Sequence, residues 1–261
     1  MGTMKCWLIY NRKDAKRNAP YIDMYFSECK NLGIDLELIY EDEIPDGKPD
    51  FCIFRAINPK LTKALEDRGI LVFNNSKTAE ICNDKRKTYK YLSDNGIEIL
   101  EIFDEENIKF PCVVKSAYGR GGTEVFLVNN RSEYDKIELN DKVIQKVCSN
   151  IGRDLRVYVI GKKIIASILR TSKTDFRSNY SLGGKASLYR LNDEETVLIE
   201  KIISLFDFGL VGIDFIFHNG KIIFNEIEDV VGARMLYEKT NINLVSEYLK
   251  YVSGIAALSM N

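Results

Sequence analysis

Three carboxylates cluster in the segment IIFNEIEDVVG, residues 222–232. Apolar residues open the segment as a strand, and Glu226, Glu228 and Asp229 follow within four positions. Side chains two apart in a strand point to the same face, so Glu226 and Glu228 should lie together while Asp229 points the other way. Because like charges repel and unpaired burial of an ion costs several kcal/mol, these two carboxylates need a cation.

A further carboxylate, Asp214, lies in the apolar segment GIDFIF, where it needs a partner. If residues 211–217 and 221–227 pair as a hairpin, Asp214 comes roughly opposite residues 225–226. Three carboxylates on paired strands, with one histidine in the chain and no cysteine nearby, form a site of hard oxygen ligands. Mg²⁺ is the expected ion for such a site, usually shared with substrate phosphates. The predicted metal ligands are Asp214, Glu226 and Glu228.

A glycine-rich stretch, KSAYGRGGT, occupies residues 115–123. Gly119, Gly121 and Gly122 would let backbone N–H groups approach a phosphate closely, and Lys115 at the end of the preceding strand could reach the same anion. The stretch matches neither the P-loop pattern nor the dinucleotide-binding fingerprint. A flexible turn without a ligand is the alternative interpretation.

Two further polar segments carry arginines. In GRDLRVYVIG, residues 152–161, the charged residues at the strand start fit either a binding site or a solvated, salt-bridged edge; they are Arg153, Asp154 and Arg156. In RTSKTDFRSNYSLGG, residues 170–184, a loop with almost no apolar anchor suggests an anionic ligand; its polar residues include Arg170, Lys173, Arg177 and Asn179. A glycine loop, basic residues and metal-binding carboxylates together supply the positioning and charge neutralisation that phosphoryl transfer requires.

The composition excludes other classes of protein. Lys and Arg (37) nearly balance Asp and Glu (38), so no global basic field is available to grip nucleic acid. No apolar run approaches the roughly 20 residues of a membrane span, and the N-terminus shows no signal-peptide pattern. Six cysteines without a CxxC pair predict buried free thiols in a reducing cytoplasm. A homo-oligomer remains possible.

Secondary-structure patterns predict an α/β protein of several lobes. Strands and helices alternate with short connections in the first third, which indicates a parallel sheet covered by helices. Later segments read as a strand–glycine loop–strand unit, two antiparallel hairpins and three helices, an α+β arrangement. The predicted domains are residues 4–82, 83–150 and 151–261. The predicted helices of the later part are residues 83–96, 193–209 and 243–255, and the hairpins are residues 154–170 and 211–228.

These segments, taken in order over nearly the whole chain, resemble the ATP-grasp superfamily and within it the ribosomal-protein-S6 glutamate ligase (RimK)-like branch. The combination GRDLRVYVIG followed by FRSN…GG is specific to that branch. The resemblance implies an ATP-grasp fold with an N-terminal parallel-sheet domain, a central lid lobe carrying the glycine loop and a C-terminal antiparallel-sheet lobe. It also implies an ATP-dependent carboxylate–amine ligase that forms an amide through an acyl phosphate and releases ADP and phosphate.

The resemblance further implies roles for individual residues. Lys85 and Lys115 would contact ATP phosphates, and Arg170 would stabilise the acyl phosphate or the tetrahedral anion. The adenine would be read at the interlobe hinge and the ribose beside it; the residues concerned are Gln145, Lys146 and Asp154. The terminal phosphate would be reached by Arg177 and Asn179. Two Mg²⁺ ions, or Mn²⁺, would be held by Asp214, Glu226 and Glu228.

The chain departs from the family pattern in the metal motif. Glu228 replaces the usual Asn, and DVVG replaces the usual Pro-Gly that follows. The extra charge should tighten metal binding or pair with a cation such as Arg234, which stands in the acceptor region. The carboxylate and amine substrates stay open, and Arg12, Arg17 and Arg55 are candidates for the substrate side of the N-terminal lobe. An ATP-binding regulatory module and a small-metabolite kinase are the alternative functions.

Overall fold

The computed structural model describes residues 3–119, 121–178 and 184–259. The N-terminal lobe is a four-stranded parallel sheet in the order β2-β1-β3-β4. Its strands are β1 (Met4–Tyr10), β2 (Ile34–Tyr40), β3 (Phe51–Phe54) and β4 (Leu71–Phe73). Its helices are α1 (Arg12–Arg17), α2 (Ala19–Leu32), α3 (Pro59–Asp67) and α4 (Ser76–Cys82). Arg55, directly after β3, therefore lies at the carboxyl ends of the parallel strands, the edge where such sheets bind ligands.

The central lobe is a four-stranded antiparallel sheet in the order β5-β8-β6-β7. Its strands are β5 (Ile102–Phe103), β6 (Cys112–Ser116), β7 (Val125–Val128) and β8 (Lys142–Lys146). Two helices accompany it, α5 (Lys85–Asp94) and α6 (Arg131–Tyr134). The glycine-rich stretch connects β6 to β7, as predicted, and so forms the tip of a hairpin.

The C-terminal lobe is a five-stranded antiparallel sheet in the order β11-β10-β9-β12-β13. Its strands are β9 (Asn150–Ile160), β10 (Lys163–Thr171), β11 (Lys185–Leu188), β12 (Leu210–His218) and β13 (Lys221–Glu228). Its helices are α7 (Asp193–Ser204), α8 (Arg234–Lys239) and α9 (Leu244–Ser259). Both predicted antiparallel hairpins are confirmed, β9–β10 and β12–β13.

Two apolar cores hold the C-terminal sheet in place. One face packs with α5 and α7, through Tyr89 and Leu92 of α5 among others. The other face shares a core with α9 and the N-terminal sheet. Buried Asn74 adds a polar connection, because its side-chain amide donates to the carbonyls of Leu210 and Asp229 at 3.1 and 2.9 Å. The N-terminal and C-terminal lobes are therefore fixed against each other.

Several details differ from the predicted elements. Helix α7 ends at Ser204 rather than residue 209, because Phe206 and Phe208 turn inward, stack on each other and join the core. The short helices α4 and α8 had not been predicted. The expected free thiols are confirmed: all six cysteines are unpaired and five of them are buried. Among the described helices, none has the length and apolar content that a bilayer crossing demands. The three domain ranges stay a prediction, and α5 packs on the C-terminal sheet although it falls within the central range.

Candidate active site

The carboxylate hairpin forms as the sequence indicates. Asp214 on β12 lies directly opposite Glu226 on β13, and Glu228 lies opposite Gly212. Glu226 and Glu228 line the same cavity, which Asp214 also borders. Asp229 is buried away from this cavity, where its carboxylate accepts a hydrogen bond from the Asn83 amide at 2.9 Å. The prediction that Asp229 points away from the other carboxylates is thereby confirmed.

Protein cations hold these carboxylates. Arg156 donates to both oxygens of Asp214 at 2.7 and 2.6 Å and contacts Glu228 Oε1 at 2.5 Å. Arg170 contacts Asp214 Oδ2 at 2.8 Å, and Lys85 Nζ lies 2.9 Å from Glu226 Oε1. The cation bound to Glu228 is Arg156, and Arg234 forms an ion pair with Glu238 at 4.0 Å. Arg156 can reach these carboxylates because it lies opposite Asp214 in the antiparallel pairing of β9 with β12.

The electrostatics differ along the hairpin. Burial alone raises the pKa of Asp214, but the guanidinium groups of Arg156 and Arg170 more than offset it and lower that pKa to about 2. Burial raises the pKa of Glu228, and Arg156 offsets only part of that rise. Within residues 3–119, 121–178 and 184–259, no three His, Cys, Asp or Glu side chains converge tightly enough to hold a metal ion as they stand. Asp214 is occupied by arginine on both of its oxygens.

The lysines and glycines form the opposite wall. Lys85 Nζ donates to the Gly119 carbonyl at 2.7 Å, and buried Lys115 Nζ contacts the Tyr89 hydroxyl at 2.6 Å and Asn225 Oδ1 at 3.1 Å. Burial, reinforced by the charge of Lys85, lowers the pKa of Lys115 to about 7. Gly121 and Gly122 have φ values of 64° and 74°, a region that suits glycine and lets the backbone face the cavity.

The hinge residues complete the cavity. Gln145 and Lys146 at the end of β8 line it beside Asp154 of β9. Gln145 is buried, and its amide donates to the Leu100 carbonyl at 3.3 Å. Asp154 is held by a two-pronged ion pair with Arg170, which is also buried. Gln145 and Lys146 thus stand where the central and C-terminal sheets meet.

Arg177 links the polar loop to the glycine hairpin. Its Nη1 donates to the Gly122 carbonyl at 2.7 Å, and Asp175 accepts from its Nε and Nη2 at 3.0 and 2.7 Å. The structure therefore brings all but one of the residues predicted to bind ATP or metal, or to act in catalysis, around one cavity. The exception is Asn179, which lies outside the described residues.

Two residues of this site, Tyr89 and Asn225, are not predicted from the sequence, and the role of a third, Arg156, is left open. The sequence allows Arg156 to belong either to a binding site or to a solvated edge, and the structure shows it buried against two carboxylates. The strand period would have found it, because Arg156 is two residues from Asp154 and so shares its face. Tyr89 and Asn225 position Lys115 through tertiary contacts, and no local pattern reveals them.

Comparison with known proteins identifies this arrangement. A family model described as the RimK-like ATP-grasp domain matches residues 83–252. The chain belongs to the RimK-like ATP-grasp family. An uncharacterized protein of Mycoplasma pneumoniae, the MG011 homolog, is 31% identical over 247 residues, which cover 89% of this chain and 86% of that relative. The glutamate–LysW ligase ArgX of Sulfurisphaera tokodaii is 26% identical over 232 residues, covering 79% of this chain and 82% of that relative.

Solved structures agree on the fold of this RimK-like ATP-grasp protein. The D-alanine–D-alanine ligase of Bacillus anthracis, complexed with ATP, matches with a TM-score of 0.72 at 16% identity and covers 98% of each chain. The predicted fold class is thereby confirmed. The prediction of an ATP-grasp carboxylate–amine ligase is likewise confirmed at the level of the family.

Proposed function

We propose that this protein activates a carboxylate with ATP and joins it to an amine, with the residue roles given below. The supporting observation is one cavity that combines a glycine hairpin, Lys85 and Lys115 with the three carboxylates of the β12–β13 hairpin and with buried Arg170. Phosphoryl transfer requires positioning and charge neutralisation more than covalent chemistry by the protein, and these residue types supply both.

The nucleotide occupies the cavity between the central and C-terminal lobes in this proposal. Gln145 and Lys146 contact the adenine, and Asp154 contacts the ribose. The phosphates meet two lysines, the glycine hairpin and the polar loop; these residues are Lys85, Lys115, Gly119, Gly121, Gly122, Arg177 and Asn179. The cavity measures about 120 Å³, below the roughly 300–1,000 Å³ of ligand pockets, so the β6–β7 hairpin must move outward to admit ATP.

Glu226 and Glu228 fit a magnesium ion. Both supply hard oxygen donors, both line the cavity, and their side chains keep 22% and 24% of their exposure. Asp214 fits only after it exchanges an arginine for the ion, because both of its oxygens are bonded to Arg156 or Arg170. When bound, two Mg²⁺ (or Mn²⁺) ions would neutralise charge on the phosphate oxygens.

The chemistry then has two steps. A substrate carboxylate oxygen attacks the γ-phosphorus, the bond to the β–γ bridging oxygen breaks, and ADP leaves. The amine nitrogen attacks the carbonyl carbon of the acyl phosphate, the bond from that carbon to the phosphate oxygen breaks, and phosphate departs with the electron pair while the nitrogen loses a proton. Arg170 lies at the end of the cavity that holds the carboxylates, where it would stabilise the negative charge of the acyl phosphate or of the tetrahedral anion.

The test is ADP release with a panel of carboxylates and amines. The panel includes L-glutamate, since one relative carries the name of a glutamate ligase. Turnover that requires both a carboxylate and an amine, with an amide detected by mass spectrometry, is the expected result. The Arg170→Met variant should lose at least 100-fold in turnover while it still binds ATP, because it removes a cation from the reacting end of the cavity. Normal ATP binding without turnover for any pair would contradict the ligase proposal.

A second candidate is an ATP-binding regulatory module. The ion pairs of Asp214 and Glu228 with Arg156 favour it, because they neutralise these carboxylates without any metal. Slow ATP hydrolysis that no amine accelerates would support this candidate. A stable phosphorylated product with no amide would instead indicate a small-metabolite kinase.

The compartment and the assembly are proposed from the same observations. Six unpaired thiols suit the reducing cytoplasm. The sequence leaves a homo-oligomer open, and light scattering would measure the mass of the protein in solution and so test it.

A further inference from the structure

Arg55 is a buried cation outside the nucleotide cavity. It follows β3 at the carboxyl edge of the N-terminal sheet and keeps 5% of its exposure. Its Nη2 donates to the Val231 carbonyl at 2.9 Å, its Nε donates to the Tyr10 hydroxyl at 3.3 Å, and its guanidinium lies 5.4 Å from the centre of the Tyr21 ring. A guanidinium has five N–H donors and stays charged at every physiological pH.

Among the described residues, no carboxylate forms an ion pair with this guanidinium. In the part of the chain that the structure describes, Arg55 forms no ion pair, although Arg156 and Arg170 nearby each bind carboxylates. Burying a charge without a partner of opposite sign is strongly unfavourable. The two hydrogen bonds to neutral oxygens satisfy part of the guanidinium but leave its charge uncompensated, so the position suits an anion that comes from outside the chain.

Arg55 faces a cleft that joins the nucleotide cavity at its carboxylate end. One part of this cleft, about 480 Å³, is lined by Arg55 and Arg17 together with Lys85, Glu226 and Glu228. A neighbouring part, about 770 Å³, is lined by both of these arginines and by Arg170 and Glu228. The nucleotide cavity shares Lys85, Glu226 and Glu228 with the cleft but does not reach Arg55.

The acidic side chains of the cleft have other partners. Glu226 binds Lys85, Glu228 binds Arg156, and Asp14 accepts a hydrogen bond from the Asn11 amide at 2.7 Å. Glu238 also lines the cleft and forms an ion pair with Arg234 at 4.0 Å. Apolar groups line the same cleft and can take a short hydrocarbon stem; they are Tyr21, Met24, Met235 and Tyr237.

We propose that Arg55 binds a carboxylate of the substrate other than the one that reacts, so that the enzyme selects a dicarboxylate with a short apolar stem. This inference rests on the proposed function, because the carboxylate that Arg55 does not bind is the one that ATP activates beside Arg170. Arg17, which lines both parts of the cleft from its exposed rim, would attract the same ligand from solution.

The experiment measures ligand binding by thermal unfolding of the whole protein at constant ionic strength, without turnover. The probes are glutarate (two carboxylates), butyrate (one carboxylate), inorganic phosphate and ATP. The wild type should bind glutarate at least 10-fold more tightly than butyrate, since stabilisation follows mass action. In Arg55→Met this preference should vanish while stabilisation by ATP persists. Arg12→Met is the matched control, because Arg12 is on the same lobe but pairs with Asp42 and Glu43.

Each other outcome overturns the inference. Equal binding of glutarate and butyrate by the wild type would do so without any variant, as would phosphate binding more tightly than glutarate. If Arg55→Met still prefers glutarate over butyrate, another residue determines the selectivity. If this variant is no longer stabilised by ATP, Arg55 has a structural role instead. Arg55→Lys, which keeps the charge, should retain part of the preference.

The two proposals fail separately. If no substrate pair gives ADP but glutarate still binds through Arg55, the ligase proposal is wrong and the anion site stands. If turnover is normal and the preference for glutarate does not depend on Arg55, the anion site is wrong and the ligase proposal stands.

Discussion

Two groups of buried cations border the nucleotide cavity or the cleft that joins it, and they differ in what balances their charge. Arg156 and Arg170 of the C-terminal sheet bind carboxylates within hydrogen-bonding distance. Lys115 of the glycine hairpin and Arg55 of the N-terminal lobe, both 5% exposed, have only hydroxyl, amide or carbonyl oxygens as hydrogen-bond partners among the described residues. Among the described residues, the first group has carboxylates within hydrogen-bonding distance and the second group has none.

The difference separates residues that build the reaction centre from residues that receive ligands. A cation with its own carboxylates is fixed in place and holds them in register, as Arg156 does for Asp214 and Glu228. Burying a cation without a carboxylate partner is unfavourable in free energy, and binding of an anionic ligand offsets that penalty. The pKa of Lys115 is lowered to about 7, so this lysine can lose its proton and with it the buried charge. An arginine cannot lose its proton.

The largest expected effect comes from removing a balanced cation. Arg156→Met should lower the free energy of unfolding by about 3–5 kcal/mol, because it removes the arginine that bonds to both oxygens of buried Asp214 and to half-buried Glu228. Arg55→Met should leave that free energy nearly unchanged or raise it, because it removes a buried charge that has no counter-ion. Urea unfolding of both variants, followed by circular dichroism, gives the two values.

This pair of variants can break the comparison directly. Equal destabilisation by the two substitutions would mean that Arg55 is as fully compensated as Arg156. The fluorescence of the single tryptophan, Trp7 in the N-terminal sheet, provides a second probe of whether unfolding stays cooperative.

The next effect concerns Lys115 and ATP. Lys115→Met should weaken ATP binding by about 10- to 100-fold, since a buried cation facing phosphates is lost. At pH 8 the free protein should carry Lys115 mostly neutral, given its pKa of about 7, and the phosphates should raise that pKa. ATP binding should therefore take up nearly one proton at pH 8 and almost none at pH 6. Calorimetry in buffers of different ionisation enthalpy measures this uptake.

The sign of the stability effect follows from the same shift. The pKa of Lys115 is lower in the folded protein than in the unfolded chain, whose reference value is 10.5. The unfolded chain binds more protons between about pH 7 and 10.5, so the wild type should gain stability relative to Lys115→Met as the pH rises through that window. Proton uptake that is the same in Lys115→Met and in the wild type would assign the titration to another group.

The sequence predicts the hairpins and the carboxylates that they carry better than it predicts which buried cations have no carboxylate partner. Strand period and a turn place Asp214 roughly opposite residues 225–226, and the structure pairs it with Glu226. Local pattern also suffices for the glycine hairpin and for the β9–β10 hairpin, because each is formed by neighbours in sequence.

Long-range contacts decide what the sequence left open. Arg156 and Asp214 are 58 positions apart, and Arg55 and Val231 are 176 apart. Whether an arginine near a strand end is paired or awaits a ligand depends on such contacts, so Arg12 and Arg55 were equivalent candidates on pattern alone. The structure separates them: Arg12 is exposed and pairs with Asp42 and Glu43, whereas Arg55 is buried beside the cleft that joins the nucleotide cavity.

The smallest expected effect tests how completely Arg156 balances Glu228. Glu228→Asn keeps an oxygen donor at the cavity but removes the carboxylate that binds Arg156 at 2.5 Å. Arg156 retains Asp214, so the free energy of unfolding should change by no more than about 1 kcal/mol. The Mg²⁺ concentration for half-maximal ADP release should rise about two- to fivefold, because one negative charge leaves the site. The control is Glu238→Gln on α8, which removes a carboxylate that lies outside the hairpin. An unchanged Mg²⁺ requirement in Glu228→Asn would show that Glu228 serves Arg156 alone, and would place it with the structural ion pairs rather than with the metal ligands.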